Sequence, residues 1–294
     1  MKSYRLIAVI ALLVGGSALF SFSLNQPTMR ETKNKQIQSK TVVFIHGLFM
    51  NNKTWEDWKA LFEKQGYTCY APAHPKHEGL PKELRANPPK GLEEVQFQDW
   101  ITNLEQFIDE LPEKPILVGH SFGGLTAQKL VESGRAEAAI LISSAPPKGV
   151  IALRPSFLRA NNKVVSRSAG NSIFNPLEAE YKDWFHYSIT NTMTKEQSDA
   201  FFEQFAVPES RQTPRASLQD IAKIDTQKPH VPMLFLGGLE DVIVPNVLLR
   251  RTIKRYKDKN SIVDYKFYPG KDHAICGAPG WEEVAEYSLN WLAN

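Results

Sequence analysis

The chain has 294 residues, 42% of them hydrophobic and 23% charged, and a formal net charge of +3. That length is enough for one sizeable core and often makes a single α/β domain. The ordinary composition argues against a disordered, collagenous or disulfide-scaffold protein, and the small charge, without a basic stripe or interleaved stacking aromatics, argues against a nucleic-acid partner.

The chain opens on Lys2 and Arg5, followed by an uncharged stretch of 17 residues, Leu6 to Phe22. Its most apolar part, Leu6–Val14, is short, and Gly15, Gly16 and Ser17 follow. A basic start, a short apolar run and small residues predict a secretory signal over residues 1–23, with Ser21 and Ser23 as small residues before a cut. The same stretch sits at the low end of a membrane span, so an uncleaved anchor through residues 6–22 stays open. Both readings place the protein outside the cytosol, exported to the periplasm or medium, or membrane-anchored. Removing residues 1–23 takes away two basic residues and no acidic one, leaving +1 of the formal +3. Residues 24–40 are polar, without a strand pattern, and read as a linker.

From Thr41 strand-like and helix-like segments alternate through a domain spanning 41–294. Thr41–His46 (TVVFIH) is a continuous β-rich run, as a strand buried on both faces requires. Trp55, Trp58, Leu61 and Phe62 recur at helical spacing, and Gly66 ends that helix. Tyr67–Ala71 is a second strand. Phe97–Leu111 is an amphipathic helix stopped by Pro112. Pro115–Gly119 is a third strand, and Gly124–Ser133 a helix closed by Gly134. Ala138–Ser143, Pro232–Gly237 and Ile262–Tyr268 are three more strands, with helices near Val247–Tyr256 and Trp281–Leu292. Near 147–229 the rhythm breaks. Phe185, Phe201, Phe202 and Phe205 suggest short amphipathic helices there, an insertion rather than a second domain. The alternation predicts an α/β protein with a parallel sheet of about six strands and helices on both faces. Ligands in such sheets bind beyond the carboxyl ends of the strands.

The residues capable of chemistry fall at those ends. Gly119-His120-Ser121-Phe122-Gly123 lies between a strand and a helix. A turn that sharp forces the serine into a strained conformation and needs glycine beside it. The outcome is an exposed hydroxyl at a helix N-terminus, which makes Ser121 the candidate nucleophile. A serine hydroxyl needs a base, and His273, just after the last strand, is the candidate. His46 and His120 belong to glycine motifs, His186 lies in the insertion and His230 in a proline-flanked linker. The base needs an orienting carboxylate. Asp241 after the penultimate strand is the candidate and Glu240 the competitor. Asp272, adjacent to His273, is expected to point away from the imidazole. His46-Gly47-Leu48-Phe49 follows the first strand, so the Leu48 and Phe122 N–H groups are the candidate oxyanion donors. His74-Pro75-Lys76-His77-Glu78 lacks the ligand spacing of a metal site and reads as a solvated loop. Cys69 and Cys276 either pair, if the chain is exported, or stand as isolated thiols.

Taken together, His46-Gly47, the Gly119–Gly123 turn, Gly-Leu-Glu-Asp241 with Pro245, and Gly-Lys-Asp-His273 resemble the α/β-hydrolase superfamily in its single-domain serine esterase and lipase-like branch. The resemblance implies Ser121 as nucleophile, Asp241 as acid, His273 as base, Leu48 and Phe122 as oxyanion donors, a lid formed near 147–229, and no cofactor. Members often open with two extra antiparallel strands that residues 24–40 do not supply. They commonly carry Asp-X-X-Gly-His-Gly-X-Ser after the second strand, where this chain has Ala71-Pro72-Ala73-His74-Pro75-Lys76-His77-Glu78-Gly79. The expected function is hydrolysis of a small-molecule carboxylic ester, with an apolar acyl or aromatic group, through an acyl-enzyme. Acyl transfer, lactone or amide cleavage and perhydrolysis with the same residues are the alternatives, as is a non-catalytic binding protein that retains the fold. An aspartate-dependent dehalogenase is disfavoured by the serine in the turn.

Overall fold

A computed structural model describes residues 37–151, 154–168, 170–175 and 179–294. The predicted signal or anchor, and the linker up to residue 36, lie outside the described residues. Strands β1 (Thr41–Ile45), β2 (Thr68–Tyr70), β3 (Ile116–His120) and β4 (Ala138–Ile142) come first, with helices α1 (Glu56–Lys64), α2 (Pro81–Ala86), α3 (Phe97–Asp109) and α4 (Phe122–Glu132) among them. The insertion follows: α5 (Pro155–Val165), β5 (Ile173–Phe174), α6 (Ala179–Ser188), α7 (Lys195–Phe205), β6 (Glu209–Ser210) and α8 (Gln212–Arg215). The chain ends with β7 (Met233–Gly238), α9 (Asn246–Ile253), β8 (Val263–Tyr268) and α10 (Trp281–Ala293).

The six long-range strands form one parallel sheet in the order β2-β1-β3-β4-β7-β8. This is the predicted α/β architecture, with strand ends displaced by a residue. Pro115 and Pro232 precede β3 and β7 rather than opening them, because proline has no N–H to donate to the ladder. Their carbonyls instead accept from Glu137 and Ala139, each at 3.0 Å. Residues alternate between the faces with period two inside the apolar runs. Val42, Phe44, Val118, Ile140 and Leu236 join Trp58 and Trp291 on one face. Val43, Ile45, Leu117, Leu141 and Phe235 join Leu104, Leu130 and Leu249 on the other.

Residues 37–40, expected as linker, lie against the domain. Ile37 packs on the first of those faces. Glu113 takes hydrogen bonds from the Lys40 and Thr41 amides at 3.0 Å each and from the Ser39 hydroxyl at 2.9 Å. Polar residues gave no strand signal here because the bonds they make are to a distant side chain.

The insertion contains a two-stranded antiparallel ribbon, β5 with β6, that sequence reasoning did not foresee. Two residues per strand are too few to show an alternation. Its phenylalanines pack mainly on one another and on Trp184 and Tyr181. Arg85 of α2 donates to the Ala206 carbonyl at 2.8 Å and to the Glu203 carboxylate at 2.7 Å, pinning the C-terminal end of α7 with the charge its dipole favours. Among the described residues, no helix is long and apolar enough to cross a membrane.

Candidate active site

The strand order reverses between β1 and β3. From β1 the chain runs outward to β2, and from β3 the other way to β4, β7 and β8. The crevice beyond their carboxyl ends is where such a sheet exposes loops from both directions. Gly47 and Ser121 meet there: a Cβ on Gly47 would lie 2.9 Å from Ser121 Cβ.

Ser121 links β3 to α4 with φ 55° and ψ −119°, a backbone that costs about 1–3 kcal/mol for an L-residue. The neighbouring strand end holds it there. The Ser121 amide donates to the Ile142 carbonyl at 2.9 Å, and its own carbonyl accepts from Ala145 at 2.8 Å. The flanking glycines are required by contact. A Cβ on Gly119 would sit 2.5 Å from the Gly123 carbonyl oxygen, and one on Gly123 would sit 2.3 Å from that of Ile45. Gly123→Ala is therefore expected to lower stability by about 1–3 kcal/mol or more, since backbone on both sides must shift. Urea denaturation measures it, and an unchanged midpoint would contradict the contact.

His273 follows β8 and Asp241 follows β7. His273 Nε2 lies 2.8 Å from Ser121 Oγ, and Nδ1 lies 2.7 Å from Asp241 Oδ2. Asp241 Oδ1 accepts from the Ile243 and Val244 amides at 3.0 and 2.7 Å. These bonds fix the carboxylate, and the carboxylate fixes the tautomer: Nδ1 carries the proton and Nε2 is free to accept one from the serine. His273 and Asp241 are almost wholly buried, while Ser121 is partly open. Glu240, the competing carboxylate, is exposed and makes no contact with the imidazole. Asp272 turns away from it, as its adjacency in sequence required, and bonds the insertion instead. The structure thus brings Ser121, His273 and Asp241 together from three separate loops.

The Leu48 and Phe122 amides have no hydrogen-bond partner among the described residues, and both residues border the same cavity as Ser121 and His273. The cavity measures about 120 Å³. Its walls are apolar: Val150, Phe157 and Val165 from the insertion, with Val244 from the core. Phe185, Phe201 and Phe202 do not reach it. Sequence periodicity could not separate Phe157 from the others, because both sets sit on amphipathic helices.

Three other histidines differ from what the sequence suggests. His120 is buried, and its Nε2 donates to the His273 carbonyl at 2.8 Å. Burial, aided by His273, pushes its pKa down to about 3, so it is a neutral prop beneath His273. The 74–78 segment is solvated only in part: Lys76 and Glu78 are exposed, but His74 and His77 are both fully buried. The His74 amide donates to His46 Nε2 at 3.1 Å, and the His74 ring stacks on Trp100 at 3.5 Å. His77 places Nδ1 3.0 Å from the Pro75 carbonyl and Nε2 3.2 Å from Glu209 of β6. The sequence signal was present in the clustered histidines, but their partners Trp100 and Glu209 are remote in the chain. Among the described residues no group of side chains has the makings of a metal site. Cys69 and Cys276 are free and buried, and burial pushes the Cys69 thiol up to about 12.

The model of the alpha/beta hydrolase family matches residues 42–286. Among solved structures, the chain is similar to the monoacylglycerol lipase of Paleococcus ferrophilus at 23% identity and a TM-score of 0.61, over 86% of this chain and 93% of that one. An extracellular alpha/beta-hydrolase from a Paenibacillus species aligns at 21% identity and a TM-score of 0.61, over 85% and 98% of the two chains. Tomato methylketone synthase I aligns at 19% identity and a TM-score of 0.62, over 87% and 97%. Likeness at these identities speaks for the fold. No curated protein sequence matches the chain.

Proposed function

The chain belongs to the alpha/beta hydrolase family, and from that premise we propose that it is a serine hydrolase that cleaves carboxylic esters of small apolar acids through an acyl-enzyme. The observation that carries the reading is the hydrogen-bonded line from Ser121 through His273 to Asp241, ending on an apolar cavity beside two unused amides. Ser121 Oγ attacks the ester carbonyl as His273 Nε2 takes its proton. The Leu48 and Phe122 amides hold the oxyanion, where one such donor is worth about 10²–10³ in rate. His273 returns the proton to the departing alcohol. Water, deprotonated by the same imidazole, then releases the acid and restores the serine.

Fluorophosphonate labelling followed by peptide mapping tests the assignment. The label is expected on Ser121, and a labelled residue elsewhere, or none, overturns it.

Cavity size supports the acyl preference, since a dry cavity of about 150 Å³ is filled by a molecule the size of benzene. Across p-nitrophenyl esters, kcat/KM is expected to be highest from acetyl to butanoyl and to fall about tenfold or more at octanoyl. Phe157→Ala is expected to recover the longer chains. Equal turnover of octanoyl and butanoyl esters would sink the size argument. We also propose export directed by residues 1–23. Intact Met1 on protein from the cytosolic fraction of the native host would refute it.

A further inference from the structure

One turn of the insertion, residues 189–194 between α6 and α7, reaches both loops that carry the triad's acid and base. Thr192 donates its amide and its hydroxyl to Asp272 Oδ2, each at 2.8 Å. Ala274, on the other side of His273, donates its amide to Asp272 Oδ1 and to the Ile189 carbonyl, each at 3.0 Å. Asn191 Nδ2 donates to the carbonyl of Glu240, next to Asp241, at 3.0 Å. Hydrogen bonds from this turn therefore bracket His273 on both sides and touch the residue before Asp241.

Asp272 is fully buried, and among the described residues no cation pairs with it. A buried carboxylate is tolerated only where donors replace its lost water. Here three donor groups do so, and two of them belong to Thr192. Burial pushes the Asp272 pKa up, and the Thr192 bonds oppose the rise. Asp241 is the neighbouring charge that adds to the rise, and the 189–194 turn contributes no titratable side chain. Lifting the insertion away would strip the carboxylate of most of its hydrogen bonds, so its place in the fold depends on the insertion being seated. The same turn carries Ile189, which lines the cavity beside Ser121.

We infer that Thr192 and Asp272 are positioning residues for His273: the seated insertion fixes Asp272, and Asp272 fixes the stretch of backbone from which His273 spans Ser121 and Asp241. The inference rests on the triad reading above. The span is tight, 2.8 Å on one side and 2.7 Å on the other. A displacement of about 1 Å in such an arrangement can cost ~10²-fold in rate. The device makes occupation of the insertion's closed position a condition for an aligned base, and it joins the substrate cavity to the base loop through one short turn.

The test compares wild type with Thr192→Val, Thr192→Ser, Asp272→Asn and the Thr192→Val/Asp272→Asn pair. Valine keeps the amide bond and loses the hydroxyl bond. Thr192→Val is expected to lower kcat about tenfold, with KM within about twofold, and to slow fluorophosphonate labelling by a similar factor. Thr192→Ser is expected to return both rates to within about twofold of wild type. Asp272→Asn is expected to lose more, because donors approach both carboxyl oxygens and an amide turned either way sets a donor against a donor. The pair should be no slower than Asp272→Asn by more than about twofold, since both changes act on one bond. Thermal midpoints separate misfolding from misalignment. A Thr192→Val enzyme that labels at the wild-type rate, or changes only in KM or thermal midpoint, overturns this inference and leaves the triad reading standing. Wild-type protein that does not label at Ser121 defeats both.

Discussion

Ser121→Ala is expected to lower kcat for a short-chain p-nitrophenyl ester by about 10⁴–10⁶-fold and to abolish fluorophosphonate labelling. The whole loss is chemical. The Ser121 side chain donates toward His273 and supports no other group, while its strained backbone is held by Ile142 and Ala145 through main-chain atoms that alanine retains. The thermal midpoint should therefore stay close to that of wild type. His273→Ala is expected to cost as much, and the double variant little more, because in the proposed mechanism the two side chains act in one step. A Ser121→Ala enzyme with most of its turnover would show that this constellation is not the seat of reaction. A site confined to binding would give the opposite pattern: substrate affinity with neither turnover nor labelling in the wild type.

Glu209→Ala is expected to destabilise the protein by about 3–5 kcal/mol, the largest effect on stability foreseen for a single side chain here. His77 faces a carbonyl oxygen at Nδ1 and a carboxylate oxygen at Nε2. Neither can donate, so both ring nitrogens must, and the imidazole is held as the cation. Its side chain and that of Glu209 are 1% and 0% exposed, so removing one partner leaves the other's charge buried alone. Burial by itself pulls the His77 pKa down. The Glu209 charge and hydrogen bond, with help from the Pro75 carbonyl and Glu78, outweigh it and raise the pKa above 6.5. Of the other titratable groups around it, His46 and His74 are kept neutral by burial. The sign follows from linkage. A histidine whose pKa is raised on folding adds stability that is complete below its unfolded value and is lost as pH rises through the folded value. The difference in unfolding free energy between wild type and Glu209→Ala should thus be greatest on the acid side of about 6.5 and shrink as pH climbs past it. Urea denaturation across pH reads this directly, and a difference independent of pH would refute the charged state. Since His77 sits after β2 and Glu209 on β6, the pair joins the domain to its insertion.

The Ser121 turn, the strand ends bearing Asp241 and His273, and the Gly47 loop were legible because each is a local pattern. An apolar run meets glycine, and the physics is settled within about ten residues. The four inner strands were legible for the same reason, since strands buried on both faces are continuous apolar runs, while the partly buried edge strands β2 and β8 were placed by the alternation of strand and helix. The ribbon of β5 and β6 left no such trace, and Phe157 looked like any other residue on an amphipathic helix. His74 and His77 misled, because a cluster of polar residues in a loop looks solvated until Trp100 and Glu209 are seen to close over it.

What the sequence by itself determined is the chemistry on offer at Ser121: a hydroxyl thrust out by a turn that only glycine neighbours permit, with an imidazole and a carboxylate reserved for later strand ends. What the tertiary structure decided is the set of distances. The order β2-β1-β3-β4-β7-β8 brings loops more than a hundred residues apart to one crevice. The insertion then helps set the cavity's size and brackets His273 through Thr192 and Asp272. Those are long-range contacts between side chains whose own neighbours in the chain carry no record of them.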